Sequence, residues 1–241
     1  MNIESISLLP IAEAFRELSS LVIEDWEGSE EPSPELVSKA MVQLLEVLEE
    51  NTGESRHPNQ LSQDEMDELG EYGLALIQEM AAFAIDLGMR ETAEQIEDLS
   101  FPFAVWLSRN NCEIENITPV VNALARRAHQ ISESLQLKQL YSYITEITDC
   151  LSPAVTQEIE ETDSRHPWRI LVINQALIAT RSHDLKLIEN AFEMLVEALP
   201  AEAARFFEES VEQMHIINYP DTVKDMLQRY YLMHGTGRTI H

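Results

Sequence analysis

The chain has 241 residues, of which 44% are hydrophobic and 24% are charged. This is the composition of an ordinary globular protein, long enough for one large domain or two small ones. The formal net charge is -27, from 43 acidic and 16 basic residues. Such a field repels DNA, RNA and anionic lipid, so direct binding to nucleic acid is not expected.

The charge is unevenly distributed along the chain. Residues 1–100 hold 24 acidic and 4 basic side chains, whereas residues 101–241 hold 19 and 12. We predict one all-helical domain over 1–241, which divides into an acidic N-terminal half, 1–112, and a C-terminal helical half, 113–234, followed by a flexible tail, 235–241. The tetrapeptide Ser-Arg-His-Pro occurs at 55–58 and at 164–167. Either a duplication of the two halves of the chain or coincidence explains this repeated tetrapeptide.

Targeting signals and disulfide patterns are not evident. The first residues contain neither the basic stretch nor the apolar run of a secretory signal peptide. No segment approaches the roughly 18 apolar residues of a membrane span. Two cysteines, Cys112 and Cys150, do not form a disulfide framework and are interpreted as small buried side chains. These features predict a cytoplasmic protein without a membrane segment.

Apolar residues recur with helical spacing over long stretches of the chain. The longest such series runs from Met66 to Leu87, and no segment shows sustained alternation of period two. A hydroxyl residue precedes proline at three expected helix starts, and Ser62 with Glu65 forms a capping-box pattern. We therefore predict ten or eleven helices. Their expected spans are 5–25, 34–51, 62–87, 90–108, 118–133, 136–150, 153–161, 167–181, 184–198, 200–217 and 220–233.

The spacing of the helix starts resembles that of tetratricopeptide-like repeats. Pro119 and Pro153 are separated by 34 residues and Pro167 and Pro200 by 33, the length of one helical hairpin in that family. The stretch 82–99 also resembles the hairpin of such a repeat. The resemblance implies antiparallel hairpins stacked as a superhelix. An irregular helical bundle obeys the same periodicity and is the alternative fold.

Polar residues on the expected first helices of these hairpins form the candidate binding site. In tetratricopeptide-like proteins those helices line a concave groove, where asparagine and basic residues hold a peptide backbone or carboxylate. The resemblance thus implies a groove for an extended or acidic peptide, and arginine suits this because its guanidinium binds carboxylates in a bidentate way. The alternative is that these residues pair with neighbouring glutamates or bridge helices. The candidates are Asn122, Arg126, Trp168, Arg169, Asn174 and Arg181.

Motifs for metal binding and catalysis are sparse. Glu212 and His215 form one Glu-x-x-His pair on an expected helix, and Glu79 is a further candidate ligand, whereas di-iron bundles use two such pairs. No Gly-x-Ser-x-Gly and no phosphate-binding glycine loop occurs. We therefore expect no cofactor and no catalytic residue.

Three functions are consistent with these features. The first is a non-enzymatic scaffold or adaptor that binds a peptide or partner protein in a helical groove. The second is a metal-binding protein or enzyme built in a helical bundle. The third is an acidic mimic of nucleic acid, which acts on a nucleic-acid-binding protein. The partner and the oligomeric state have no signal in the sequence.

Overall fold

A computed structural model describes residues 7–28, 31–51, 61–157, 166–214 and 216–235. The predicted all-α class is confirmed, since the described residues form helices and no strand. Their one β-type contact is an isolated parallel bridge between Ile114 and Leu151. None of the helices in these ranges has the length and apolar character required to cross a membrane.

Twelve helices occur within the described ranges, one more than the upper estimate from the sequence. Most begin and end within a few residues of the predicted spans. They are α1 (Leu8–Asp25), α2 (Pro34–Asn51), α3 (Gln63–Asp86), α4 (Arg90–Glu97), α5 (Ser100–Arg109), α6 (Thr118–Gln130), α7 (Ser134–Thr148), α8 (Pro153–Gln157), α9 (Pro167–Ser182), α10 (Leu185–Ala198), α11 (Pro200–Gln213) and α12 (Asp221–His234).

The extra helix results from a break in the predicted span 90–108. The chain turns at Asp98 and Leu99, so that α4 and α5 replace one continuous helix. Pro102 is the physical reason, because it has no N–H to donate to the carbonyl of Asp98 and its ring collides with that carbonyl in a regular helix. The break therefore lies four residues before the proline, and regular helical bonding resumes with Phe103 N, which donates to Leu99 O at 3.2 Å.

Helix starts follow the expected capping chemistry. Ser62 Oγ accepts a hydrogen bond from Glu65 N, and the Glu65 carboxylate accepts one from Ser62 N, which completes the predicted capping box at α3. Asp184 caps α10, its carboxylate accepting from the amides of Lys186 and Leu187. Oxygen acceptors at these positions satisfy amides that have no partner within the helix.

The chain divides into two compact units. The first comprises the described residues of 1–126 and 146–158, and the second comprises those of 127–145 and 159–241. In the first unit α1 packs on α2, α2 on α3 and α3 on α4; in the second, α9 packs on α10 and α11 on α12. The suggested division at residue 112 and the stacking of hairpins as a superhelix stay predictions. The first Ser-Arg-His-Pro copy and the tail beyond residue 235 lie outside the described residues.

Carboxylates of α3 hold the connection between α5 and α6 in the first unit. Glu71 accepts hydrogen bonds from the amides of Glu115 and Asn116 at 2.7 and 2.9 Å, and Asp67 accepts one from Glu113 N at 3.0 Å. Burial raises the pKa of Glu71, and the two amides only partly offset that effect. Backbone N–H groups thus replace cations as partners of these acids.

An aromatic cluster forms the core of the second unit. Phe192 of α10 lies 5.0 Å from Phe207 and 5.1 Å from Tyr230, measured between ring centroids, and both pairs meet edge to face. This is a favoured geometry for aromatic pairs. Phe192 and Phe207 are fully buried, so the cluster joins α10, α11 and α12 through their apolar faces.

Two glycines of α3 allow close packing against α5. A Cβ atom at Gly73 would lie 2.6 Å from Cε1 of the buried Phe103 ring, and one at Gly70 would lie 2.7 Å from Cδ2 of Leu107. The leucine methyl group lies at the end of a flexible side chain, whereas the rigid ring must move as a whole. The absence of a side chain is therefore more important at Gly73 than at Gly70.

We expect Gly73→Ala to lower the free energy of unfolding more than Gly70→Ala does. Both substitutions bring a gain in helix propensity of about 1 kcal/mol. Overpacking against a confined ring costs about 1–3 kcal/mol, which outweighs that gain at Gly73. Urea denaturation followed by circular dichroism measures the difference. Equal midpoints for the two variants would contradict the proposed rigidity of the Phe103 contact.

Candidate functional site

Asn122 and Arg126, two of the predicted binding residues, are engaged by carboxylates at the end of α4. Asn122 Nδ2 donates to Glu97 at 2.9 Å, and the Arg126 guanidinium donates to Glu97 and Asp98, each at 2.7 Å. Burial opposes the charge of Arg126, but its hydrogen bonds to the two carboxylates prevail and raise its pKa. A peptide carboxylate would have to displace acids that already hold this guanidinium.

Arg181 binds backbone carbonyls in the second unit. Its two terminal nitrogens donate to Ala128 O at 2.7 Å and to Ile131 O at 2.5 Å. These carbonyls lie at and just beyond the C-terminal end of α6, where backbone oxygens lack partners within the helix. A positive charge at this end also complements the helix dipole. Arg181 therefore serves as a side-chain cap for α6.

The remaining candidates are all on α9 and differ in exposure. Trp168 is buried, and the buried Arg169 forms an ion pair with Glu202 of α11. Asn174 is half-buried, and its amide group has no hydrogen-bond partner among the described residues. A role for these residues in partner binding stays a prediction.

The candidate metal ligands belong to different units or lie outside the described residues. Glu212 is exposed near the end of α11, Glu79 is half-buried on α3, and His215 lies outside the described residues. The described ranges contain no group of three or more His, Cys, Asp or Glu side chains placed to hold a metal ion.

Both cysteines are thiols in environments that disfavour the thiolate. Burial, followed by the charge of Asp67, raises the pKa of Cys112 to about 11. Burial, followed by the charge of Asp149, also raises the pKa of the half-buried Cys150. The thiolate is the nucleophilic form, so neither side chain is activated for covalent chemistry at neutral pH.

An open groove of about 400 Å³ lies between α1 and α2. Half-buried Ile23 and Val42 supply apolar surface, and Arg16 and Lys39 are exposed cations. Neither cation has a hydrogen bond or an ion pair to any residue in the described part of the chain. Arg16 comes from α1 and Lys39 from α2, so helix pairing brings them to one site. Its remaining lining residues are Glu35, Ser38 and Gln43.

The groove was not predicted from the sequence, although two signals point to it. Residues 1–100 contain four basic side chains, and two of them line the groove. Arg16 also lies seven residues from Leu9 and seven from Ile23, so the three share one stripe of α1. Neither signal shows which helix lies opposite, because α2 meets α1 only through tertiary packing.

We expect Arg126→Gln to lower the free energy of unfolding by about 1–3 kcal/mol, because two partly buried carboxylates lose their charged donor. Arg90→Gln removes an exposed cation from the same unit and should stay within about 0.5 kcal/mol of wild type. Chemical denaturation of both variants checks this. Equal effects would show that the cluster around Arg126 contributes no structural stability.

We expect Cys112 to resist alkylation by iodoacetamide at pH 8 in the native state. With a pKa of about 11, its thiolate is scarce there and becomes abundant only as the pH approaches that value. Mass spectrometry after trypsin digestion measures modification at each cysteine, with protein in guanidinium as the positive control. Native labelling of Cys112 as fast as in denaturant would contradict its burial.

Comparison with known proteins supplies no relative. The chain matches no protein-family model, no curated protein and no solved structure. The groove between α1 and α2 and the contacts of the described residues are therefore the basis for inferring function.

Proposed function

We propose that this chain is a non-enzymatic interaction protein that binds a segment of a partner protein in the α1–α2 groove. The observation that carries the proposal is the pair of unengaged cations, Arg16 and Lys39, beside the apolar surface of Ile23 and Val42. In a chain with 43 acidic residues, an unengaged cation has many potential partners. Because two such unengaged cations line one groove, we expect their partner to be a ligand from outside the chain.

The form of the groove favours a polypeptide over a small molecule. Small-molecule sites typically enclose most of the ligand surface. Here four of the seven lining residues are exposed, and the groove runs along two paired helices. Elongated apolar grooves between helices are a recurrent way to bind an amphipathic segment. The net charge of -27 makes nucleic acid an unfavourable ligand. The proposal also includes a cytoplasmic location, which is consistent with two free cysteines because reducing compartments keep thiols unpaired.

We expect a photo-crosslinker at Gln43 to capture a partner protein in a lysate of the native cells. Gln43 lines the groove, whereas Glu91 is exposed on α4 and serves as the control position. A protein captured through position 43 and not through position 91, and identified by mass spectrometry, is the expected result.

Charge reversal makes this experiment specific. The double substitution Arg16→Glu, Lys39→Glu should abolish capture through position 43, because the groove then repels the partner segment that its two cations attracted. Arg90→Glu with Lys186→Glu changes the net charge equally at exposed positions outside the groove and should leave capture intact. Urea midpoints near that of wild type verify folding of both double variants. Identical capture by both would refute a role for the groove.

A further inference from the structure

The direction of α1 and α2 sets the order of chemical groups along the groove. Leu8 N donates to Glu49 Oε2 at 3.2 Å, so the first residue of α1 lies beside the end of α2. Counting about 1.5 Å per residue from this bond places Arg16 about 12 Å along the groove, with Lys39 about 15 Å along it. On the same count Glu35 lies about 21 Å along it and Ile23 about 22–23 Å. The two cations therefore occupy the middle.

Apolar and acidic groups flank that middle. Leu9 is 62% exposed at one end of the stripe that contains Arg16 and Ile23. Val42 contributes apolar surface beside the cations. Glu35 also lines the groove, beyond the two cations, so a carboxylate of a ligand is favoured in the middle and repelled beside Glu35.

The surrounding charge sharpens this selectivity. The first 100 residues contain 24 acidic side chains, so a basic ligand would find favourable positions over much of the surface. An acidic ligand is repelled there and attracted where Arg16 and Lys39 line the groove. Arginine binds a carboxylate in a bidentate way and thereby adds a preferred orientation.

We infer that the groove selects an amphipathic helical segment of a partner protein that carries Asp or Glu at the centre of its apolar face. Aliphatic side chains of that segment pack against Ile23 and Val42, and its central carboxylate binds Arg16 and Lys39. This inference rests on the proposed function and adds the chemistry of the ligand. The like charge of Glu35 and the opposite charges of Arg16 and Lys39 also set the register of the segment.

A displayed peptide library tests the inference. Helical 18-residue peptides, with the apolar face randomised, are sorted on yeast for binding to the full chain and counter-sorted against the Arg16→Glu, Lys39→Glu variant. Enriched peptides are expected to carry Asp or Glu at the centre, flanked by Leu, Ile or Met. Enrichment of basic or uncharged centres, or no enrichment that depends on the groove, overturns the inference.

Complementary charge reversal provides the quantitative readout. An enriched peptide should bind the Arg16→Glu, Lys39→Glu variant with a Kd at least about tenfold weaker than wild type. Replacing the central Asp or Glu of this peptide with Lys should restore binding to the charge-reversed variant and abolish binding to wild type. The Arg90→Glu, Lys186→Glu variant should bind the original peptide as wild type does. Equal affinity of both peptides for wild type overturns the inference.

The two sets of experiments separate two kinds of failure. Capture of a partner through Gln43, together with peptides that lack a central acid, would retain the proposed function and reject the ligand chemistry. Acid-centred peptides without a captured partner would retain the chemistry of the groove and reject its use as a binding site in the native lysate. Failure of both would reject both.

Discussion

A surplus of carboxylates over cations constrains how the acidic side chains of this protein find partners. With 43 acidic and 16 basic residues, most acids have no cation within reach and must remain in water or accept hydrogen bonds from backbone N–H groups. The structure uses backbone donors repeatedly. Glu71 holds two amides before α6, Glu49 accepts from the first amide of α1, and Asp184 caps α10. These bonds fix helix ends and a connection, and Asp184 also forms an ion pair with Lys138 at 2.9 Å.

The few cations consequently have specific places. Arg126, in the second half of α6, binds carboxylates at the end of α4 and in the turn after it, and Arg181 satisfies carbonyls at the end of α6. Arg169 pairs with Glu202 within the second unit. Arg16 and Lys39 differ from these three, because both line a groove and neither bonds to another residue in the described ranges. That contrast between structural and unengaged cations underlies the proposed function.

The helical class followed from local features that the sequence contains in full. Periodic apolar residues, hydroxyl caps and proline at helix starts depend on neighbours within four residues, and the capping box of Ser62 has the predicted bonds. The break before Pro102 obeys an equally local rule, and the predicted continuous helix over 90–108 was wrong because that rule was not applied to Pro102. The stacking of hairpins as a superhelix depends on packing between distant helices, and it stays a prediction.

The sequence by itself determined that this chain is helical, acidic and poor in motifs for catalysis. It also determined which residues have the chemistry to bind a carboxylate, since that property belongs to the side chain. Tertiary structure alone decided which of those residues already form hydrogen bonds or ion pairs within the protein. Arg126 meets Glu97 across 29 positions and Arg181 meets Ala128 across 53. Local periodicity carries no information about such pairs, because the packing of one helix against another selects them. The same packing brought Arg16 and Lys39 to one groove.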